Sequence, residues 1–182
     1  MNATKKFSDF TLSATVGNEF NNNYSFASQV TGLSLVVPGF VNLSNAVTYA
    51  PSSSIVNTKL FGVFADVTLE YKNFLSVNVK ARNDWSSSLP VQNRSFFYPG
   101  AGLSFLVSEA FPGIKSDNGI SNLKATFNIT KSGNDASAYA TKSIFSTPTG
   151  FPYGSTTGLS QGSRDTDSNL SPEFTLSKEL GV

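Results

Sequence analysis

The sequence predicts an all-β chain of about seven long antiparallel strands. Apolar and polar residues alternate along most of its length, and a period of two is the period of a β-strand. Two alternating runs meet at the tight turn Lys72-Asn73, as the strands of a hairpin do. No segment has apolar residues at helical spacing, and the strands reach about ten residues where globular proteins average about 5–6.

The N-terminal third is predicted to hold two strands and a long loop. The first strand starts near Phe7 and ends near Val16. Gly17 and the run Asn21–Asn23 predict a turn, because Gly and Asn readily adopt turn conformations. A weaker second strand follows from about Tyr24 to Leu35. Residues 36–58 contain Pro38-Gly39 and a Ser/Asn-rich tail, and they are predicted to form a long polar loop.

The central hairpin, about Lys59 to Trp85, has the clearest alternation. One face carries Val63, Ala65, Val67, Leu69 and Tyr71, continued after the turn by Leu75, Val77, Val79 and Ala81. The other face carries Phe64, Asp66, Thr68 and Glu70, continued by Ser76, Asn78, Lys80, Arg82 and Asp84. The alternation therefore predicts one apolar and one polar face. By itself it does not say whether the apolar face meets a protein core or lipid.

Three further strands and two polar loops follow the hairpin. A loop at 86–95 leads to the fifth strand, in which Gly100, Gly102 and Ser104 leave one face nearly free of side chains. Such a face indicates a bend in the sheet or the close approach of another piece of backbone. The sixth strand spans about 123–130, the long polar loop 132–170 comes next, and the seventh strand spans about 173–180.

Composition excludes several classes of protein. Lys and Arg total 13 against 12 Asp and Glu, so no basic surface predicts a nucleic-acid partner. The chain has no Cys and no His, which removes zinc-thiolate sites, imidazole metal sites and Ser-His-Asp catalysis. We therefore expect no enzyme activity, no metal and no cofactor. The N-terminus lacks the apolar segment of a secretory signal, and no run reaches the roughly 20 apolar residues of a spanning helix.

Two folds remain open on these residues. One is a soluble β-sandwich, which would act as a binding or adhesion module, and the other is part of a transmembrane β-barrel. Sandwich strands also alternate, with apolar residues inside. Strands of about 9–11 residues, short turns alternating with long loops, and aromatic residues near strand ends are typical of barrels in the outer membrane. The aromatic residues in question are Phe61, Tyr71, Phe74, Trp85, Phe96, Phe97 and Tyr98.

The order of several short motifs adds a resemblance to a known family. Leu60 to Phe111 contains Tyr71-Lys72, the stretch Arg82–Ser87, Tyr98-Pro99 and Ser108-Glu109, in that order. This segment resembles the barrel of SusC/RagA-type TonB-dependent outer-membrane transporters. The flanking segments Leu35–Ala46 and Ile120–Asn134, and the pair Pro172-Glu173, resemble neighbouring parts of the same barrel.

The resemblance implies a barrel of about 22 strands around an N-terminal plug, of which this chain would hold about seven. Residues 1–182 are then expected to be a single partial barrel segment with no plug domain, located in the cell outer membrane. The segment would be either a gene fragment or an internal piece of a longer protein. The full-length protein would import glycan or peptide oligomers. Its implied partners are outer-membrane lipid, a SusD-like surface lipoprotein, and TonB through the absent N-terminal region.

The resemblance also implies a role for each face of the central hairpin. The lumen-lining candidates are Asp66, Glu70, Lys80, Arg82 and Asp84, which would contact the plug or a passing nutrient. The ordinary alternative is a solvated face with cross-strand ion pairs. The lipid-facing candidates are Val63, Val67, Leu69, Leu75, Val77 and Val79.

Overall fold

A computed structural model describes residues 1–115, 120–143, 145–146, 156, 158–162 and 166–182. One antiparallel sheet contains seven strands in the order β1-β2-β3-β4-β5-β6-β9. Their bounds are β1 Asn2–Phe7, β2 Phe10–Leu35, β3 Ala46–Tyr71, β4 Leu75–Ser86, β5 Ser95–Leu106, β6 Lys124–Asn134 and β9 Glu173–Gly181. Two short strands, β7 (Phe145–Ser146) and β8 (Ser160–Gln161), form a separate hairpin. The described helices are α1 (Val107–Ala110) and two 3-10 turns, Leu43–Asn45 and Pro112–Ile114.

The predicted fold class is confirmed, but the first two predicted strands are wrong. They form one strand, β2, which passes through Gly17 and Asn21–Asn23 without a turn. Continuous pairing with β3 holds this segment extended. Gly17 is therefore not a turn residue; its lack of a side chain leaves room for a neighbouring aromatic ring. A Cβ there would lie 2.5 Å from the Phe64 ring. The strand that the sequence reading missed is β1, which joins β2 through a turn at Ser8-Asp9.

The predicted loop at 36–58 is also wrong over most of its length. Only residues 36–45 form a loop. β3 already begins at Ala46, and it pairs with β2 through Pro51↔Val30 and on along the rest of the strand. Residues 21–35 and 46–59 therefore form a two-stranded ribbon that extends past the rest of the sheet. At about 3.3 Å per residue the ribbon is about 45 Å long. Much of the predicted loop 132–170, including 147–155 and 163–165, lies outside the described residues.

Connections differ in length at the two ends of the sheet. At one end, Lys72 and Asn73 have φ of 46° and 62°, the left-handed values of a tight two-residue hairpin turn. The Lys72 ammonium lies 3.4 Å from the carboxylate of Asp9 in the neighbouring turn. The Tyr71 hydroxyl and this carboxylate raise the pKa of Lys72. Loops 36–45, 87–94 and 135–172 lie at the other end of the sheet, here called the long-loop end. The connection 107–123 is also long, but it lies with the tight turns at the short-turn end.

The sheet is a single layer with almost no apolar interior. Among described residues the buried apolar side chains are Ala46, Leu89 and Phe96. A β-sandwich buries the inner faces of two packed sheets, so the sandwich alternative does not describe this fold. No helix in the described part of the chain is long and apolar enough to cross a membrane.

Candidate functional site: a two-faced sheet

The strand register places the lipid-facing candidates together on one side of the sheet, here called the apolar face. Val67 pairs with Val79, and Leu69 with Val77. The face continues onto the neighbouring strands, because Val67 also pairs with Ala14 and Val79 with Ala101. The side chains are open to the surroundings, with Val79 54% exposed and Val67 40% exposed. The structure thus displays this apolar surface instead of covering it.

Aromatic rings border the apolar face at the short-turn end. Phe10 and Tyr71 have ring centroids 4.7 Å apart, Tyr71 and Phe74 5.4 Å, and Phe74 and Phe105 5.9 Å. Phe7 extends the row, 6.3 Å from Phe10. These five rings form a continuous band across strands β1 to β5, here called the lower girdle.

A second aromatic border, the upper girdle, lies toward the long-loop end. Phe61 and Trp85 are in register on β3 and β4, with ring centroids 5.6 Å apart. Phe97 pairs with Asn83 next to them and is exposed. Phe96 and Tyr98 are not part of this border. They stack on each other on the opposite face, 6.0 Å apart, because alternate residues of a strand point to opposite sides.

The spacing of the two girdles has a physical meaning. Phe61 and Tyr71 are ten positions apart on β3, which is about 33 Å along a strand. A barrel strand tilts by about 40°, so this length spans about 25 Å along the membrane normal. The apolar band of an outer-membrane barrel is also about 25 Å tall.

The polar face carries a network of ionic side chains centred on Arg82. Its Nη1 lies 2.9 Å from Glu19 Oε2, and its Nε donates to Asp84 Oδ1 at 2.8 Å. The Tyr98 hydroxyl donates to the other oxygen of Asp84. Asp84 is only 4% exposed, so these donors take the place of the water that would solvate its carboxylate at the surface.

The absence of a side chain at Gly62 lets this network form across three strands. Gly62 pairs with Glu19 of β2 on one side and Asp84 of β4 on the other. A Cβ at Gly62 would overlap Asp84 Oδ1 and the Arg82 guanidinium. Arg82 also lies over the Phe64 ring, 5.9 Å from its centroid. The sequence reading found Arg82 and Asp84 but missed Glu19, because the partner of that residue depended on the register of β2.

The remaining lumen-lining candidates are less tightly held. Asp66 and Lys80 are in register, yet Asp66 accepts a hydrogen bond from Asn78 at 2.8 Å and forms no ion pair within the described residues. The Lys80 side chain lies over Gly100, with Cε 2.8 Å from where a Cβ would stand. Neighbouring side chains, and not backbone, therefore fill the space above the glycines of β5. Glu70 lies opposite Ser76 near the short-turn end.

A cavity of about 330 Å³ opens on the polar face beside the Arg82 network. Phe64, Asp66, Lys80 and Tyr98 line it from β3 to β5, and Lys131 lines it from β6. Lys131 Nζ lies 3.7 Å from the Phe174 ring centroid. No group of three or more acidic side chains in the described ranges could hold a metal ion.

Loops at the long-loop end are bonded to one another. The hydroxyls of Ser86 and Ser88 both donate to Asp135 Oδ2, the second at 3.0 Å. Asn93 Nδ2 donates to the carbonyl of Asn169 at 3.0 Å. The loop 87–94 is therefore attached to both flanks of the long loop 135–172.

Comparison with solved structures supports the fold. Comparison with protein-family models and with curated protein sequences gives no match. Two structures of the RagAB peptide importer, in the closed-closed and open-open states, match with TM-scores of 0.79 and 0.70 and identities of 18% and 20%. The matches cover 98% and 94% of this chain. A structure of the RagAB peptide transporter matches with a TM-score of 0.78 and 19% identity over 96% of this chain.

The chain thus has the fold of part of a transporter. The RagAB importer is one of the solved proteins with this fold, and the match confirms at the level of fold the resemblance to the SusC/RagA type. The chain spans about a fifth of the length of these solved chains, the covered shares being 20%, 20% and 19%. The proteins in these matches are described as a peptide importer or peptide transporter.

Proposed function

We propose that the chain forms part of the wall of an outer-membrane β-barrel transporter of the SusC/RagA type. The observation that carries the proposal is the exposed apolar face bounded by two aromatic girdles. A water-soluble protein would cover such a face, because large contiguous apolar patches on monomers are rare. In lipid the same face needs no cover, and the spacing of the girdles matches the height of an apolar band.

On this proposal the two faces of the central hairpin have different surroundings. Val63, Val67 and Leu69 of β3, with Leu75, Val77 and Val79 of β4, face acyl chains. The polar face lines a lumen. Arg82 and Asp84 stiffen that wall through their network with Glu19, whereas Asp66, Glu70 and Lys80 keep charged groups available to a plug or a passing solute.

The full-length protein would import glycan or peptide oligomers, with energy from TonB through a region outside this segment. A SusD-like surface lipoprotein would be its partner on the long-loop side. The resemblance of the motifs and the fold shared with a peptide importer support these roles. Because transport of this kind uses the plug, we expect the 182 residues alone not to transport.

Expression of the chain alone tests the proposal. We expect inclusion bodies that dissolve only with denaturant and refold only with detergent or lipid. The measurement is sedimentation of the refolded protein with and without detergent. A monodisperse monomer that unfolds cooperatively in detergent-free buffer would overturn the proposal.

A further inference from the structure

The sheet divides between β5 and β6 on the long-loop side of the pair Gly100↔Thr130. That pair is the last of the β5–β6 ladder, although β5 stays paired with β4, and β6 with β9, along their remaining residues. Residues 95–99 and 131–134 are therefore not joined to each other. The cavity of about 330 Å³ lies where the two strands part.

Pro99 explains why the ladder ends at this point. The Leu106 N–H donates to the Phe74 carbonyl at 2.7 Å, so the even-numbered residues of β5 direct their main-chain groups toward β4. The odd-numbered residues direct theirs toward β6. Pro99 would be the next odd-numbered residue to bond to β6, opposite Lys131, and it has no N–H to donate.

Aromatic rings fill the upper part of the division. Phe96 is 5% exposed and packs edge-to-face on Phe174, with ring centroids 6.5 Å apart. Gly133 leaves room for these rings, because a Cβ there would lie 2.8 Å from the Phe96 ring. The part nearer Gly100 stays open as the cavity, which is at the small end of the range of about 300–1,000 Å³ for ligand sites.

Two lysines reach the open part from different strands. Lys80 is in register with Asp66, but Asp66 accepts a hydrogen bond from Asn78 at 2.8 Å. The Lys80 side chain instead lies over Gly100 of β5, away from β3. Lys131 lines the cavity from β6. Neither lysine forms an ion pair with another described residue.

The rest of the lining favours an anion that carries an apolar body. The half-buried rings of Phe64 and Tyr98 line the same cavity as the lysines. The charge of Arg82 is already matched by Glu19 and Asp84. The two lysines therefore supply the unpaired positive charge among the described lining residues.

We propose that this cavity binds an organic carboxylate. The ammonium groups of Lys80 and Lys131 donate to the carboxylate, and the rings of Phe64 and Tyr98 pack against its apolar part. The inference rests on the proposed function, because it makes the cavity a subsite for an anionic solute in the lumen. Peptides and acidic sugars both carry such a carboxylate, so the test separates these two sources.

Titration of the refolded chain in non-ionic detergent micelles tests the proposal. The probes are N-acetylphenylalanine, its uncharged amide and glucuronate, and binding is followed by the amide NMR signals of residues 130–132. We expect at least one of the two carboxylates to bind about tenfold more tightly than the amide, the factor given by a hydrogen bond to a charged group. The tighter of the two carboxylates identifies the source. Equal affinities of N-acetylphenylalanine, its amide and glucuronate would overturn the proposal.

Matched lysine variants make the test specific. Lys80→Gln and Lys131→Gln should each lower the affinity for the carboxylate about tenfold and leave the affinity for the amide unchanged. Lys124→Gln removes the same charge from β6 seven residues away, about 23 Å along the strand, and should change neither affinity. An equal loss in Lys124→Gln would refute the site, because it would show attraction by net charge alone.

The carboxylate site and the proposed function fail in different measurements. A chain that needs detergent to stay in solution, but does not distinguish the carboxylates from the amide, contradicts the site and leaves the barrel wall standing. A monodisperse monomer in detergent-free buffer contradicts the barrel wall, whatever the cavity binds.

Discussion

Replacing Val67 with lysine is the sharpest mutational test of the lipid-facing assignment. Val67 lies four residues from Tyr71 and six from Phe61, so it is about 10 Å inside the lower girdle and near the middle of the apolar band. A lysine at the midplane of a barrel wall costs about 2–4 kcal/mol, falling to about 0–1 near the interfaces. That penalty lowers the equilibrium constant for insertion about 30- to 900-fold.

The matched control is Thr68→Lys, which puts the same charge one residue further on the polar face. Insertion into phosphatidylcholine vesicles is measured for both variants by urea titration and protease protection. The isolated sheet leaves two strand edges unpaired in lipid, but this cost is common to both variants and cancels in their difference. Val67→Lys should insert at least about 30-fold less well than Thr68→Lys. Equal insertion of the two variants would refute the assignment of the faces.

Three further predictions concern the polar face and the loops. Arg82→Met leaves the buried carboxylate of Asp84 without its cation and should lower the free energy of unfolding by about 3–5 kcal/mol; adding Asp84→Asn should recover part of the loss in denaturant titrations. Gly62→Ala introduces a Cβ that overlaps the Arg82 network and should cost about 1–3 kcal/mol. Gly113→Ala, which has nothing within 4 Å, should leave the unfolding midpoint unchanged. Asp135→Ala removes the shared acceptor of two buried serine hydroxyls, and amide exchange in residues 87–94 should accelerate by the equivalent of about 1–3 kcal/mol; unchanged exchange would contradict the attachment of this loop.

The central strands could be predicted from sequence because their evidence is local. Alternation from Val63 to Asp84 and the turn at Lys72-Asn73 together determine which residues share a face. The same alternation explains why Phe96 and Tyr98 stand on the polar face, since they have the parity of Gly100. Their aromatic character alone predicts a position at the membrane border, and this prediction is wrong for these two rings.

The ribbon and the Arg82 network could not be predicted because both depend on long-range pairing. Asn21–Asn23 and the serines at 52–54 have the composition of turns and loops, yet both segments are held extended by strand pairing. Asn21–Asn23 pair with residues 58–60, and the serines pair with residues 27–29. Glu19 reaches Arg82 only because Gly62 stands between them in register. Local composition does not reveal which distant segment of the chain will pair with a strand.

Fluorescence of Trp85 tests the central claim most directly. It is the only tryptophan in the chain and lies in the upper girdle on the apolar face. The chain is refolded into vesicles whose lipids carry bromine at defined depths along the acyl chains. If the apolar face meets lipid, the Trp85 emission should be blue-shifted and quenched most by bromine close to the headgroups. Emission at the wavelength of water-exposed tryptophan, with no quenching by any brominated lipid, would contradict it.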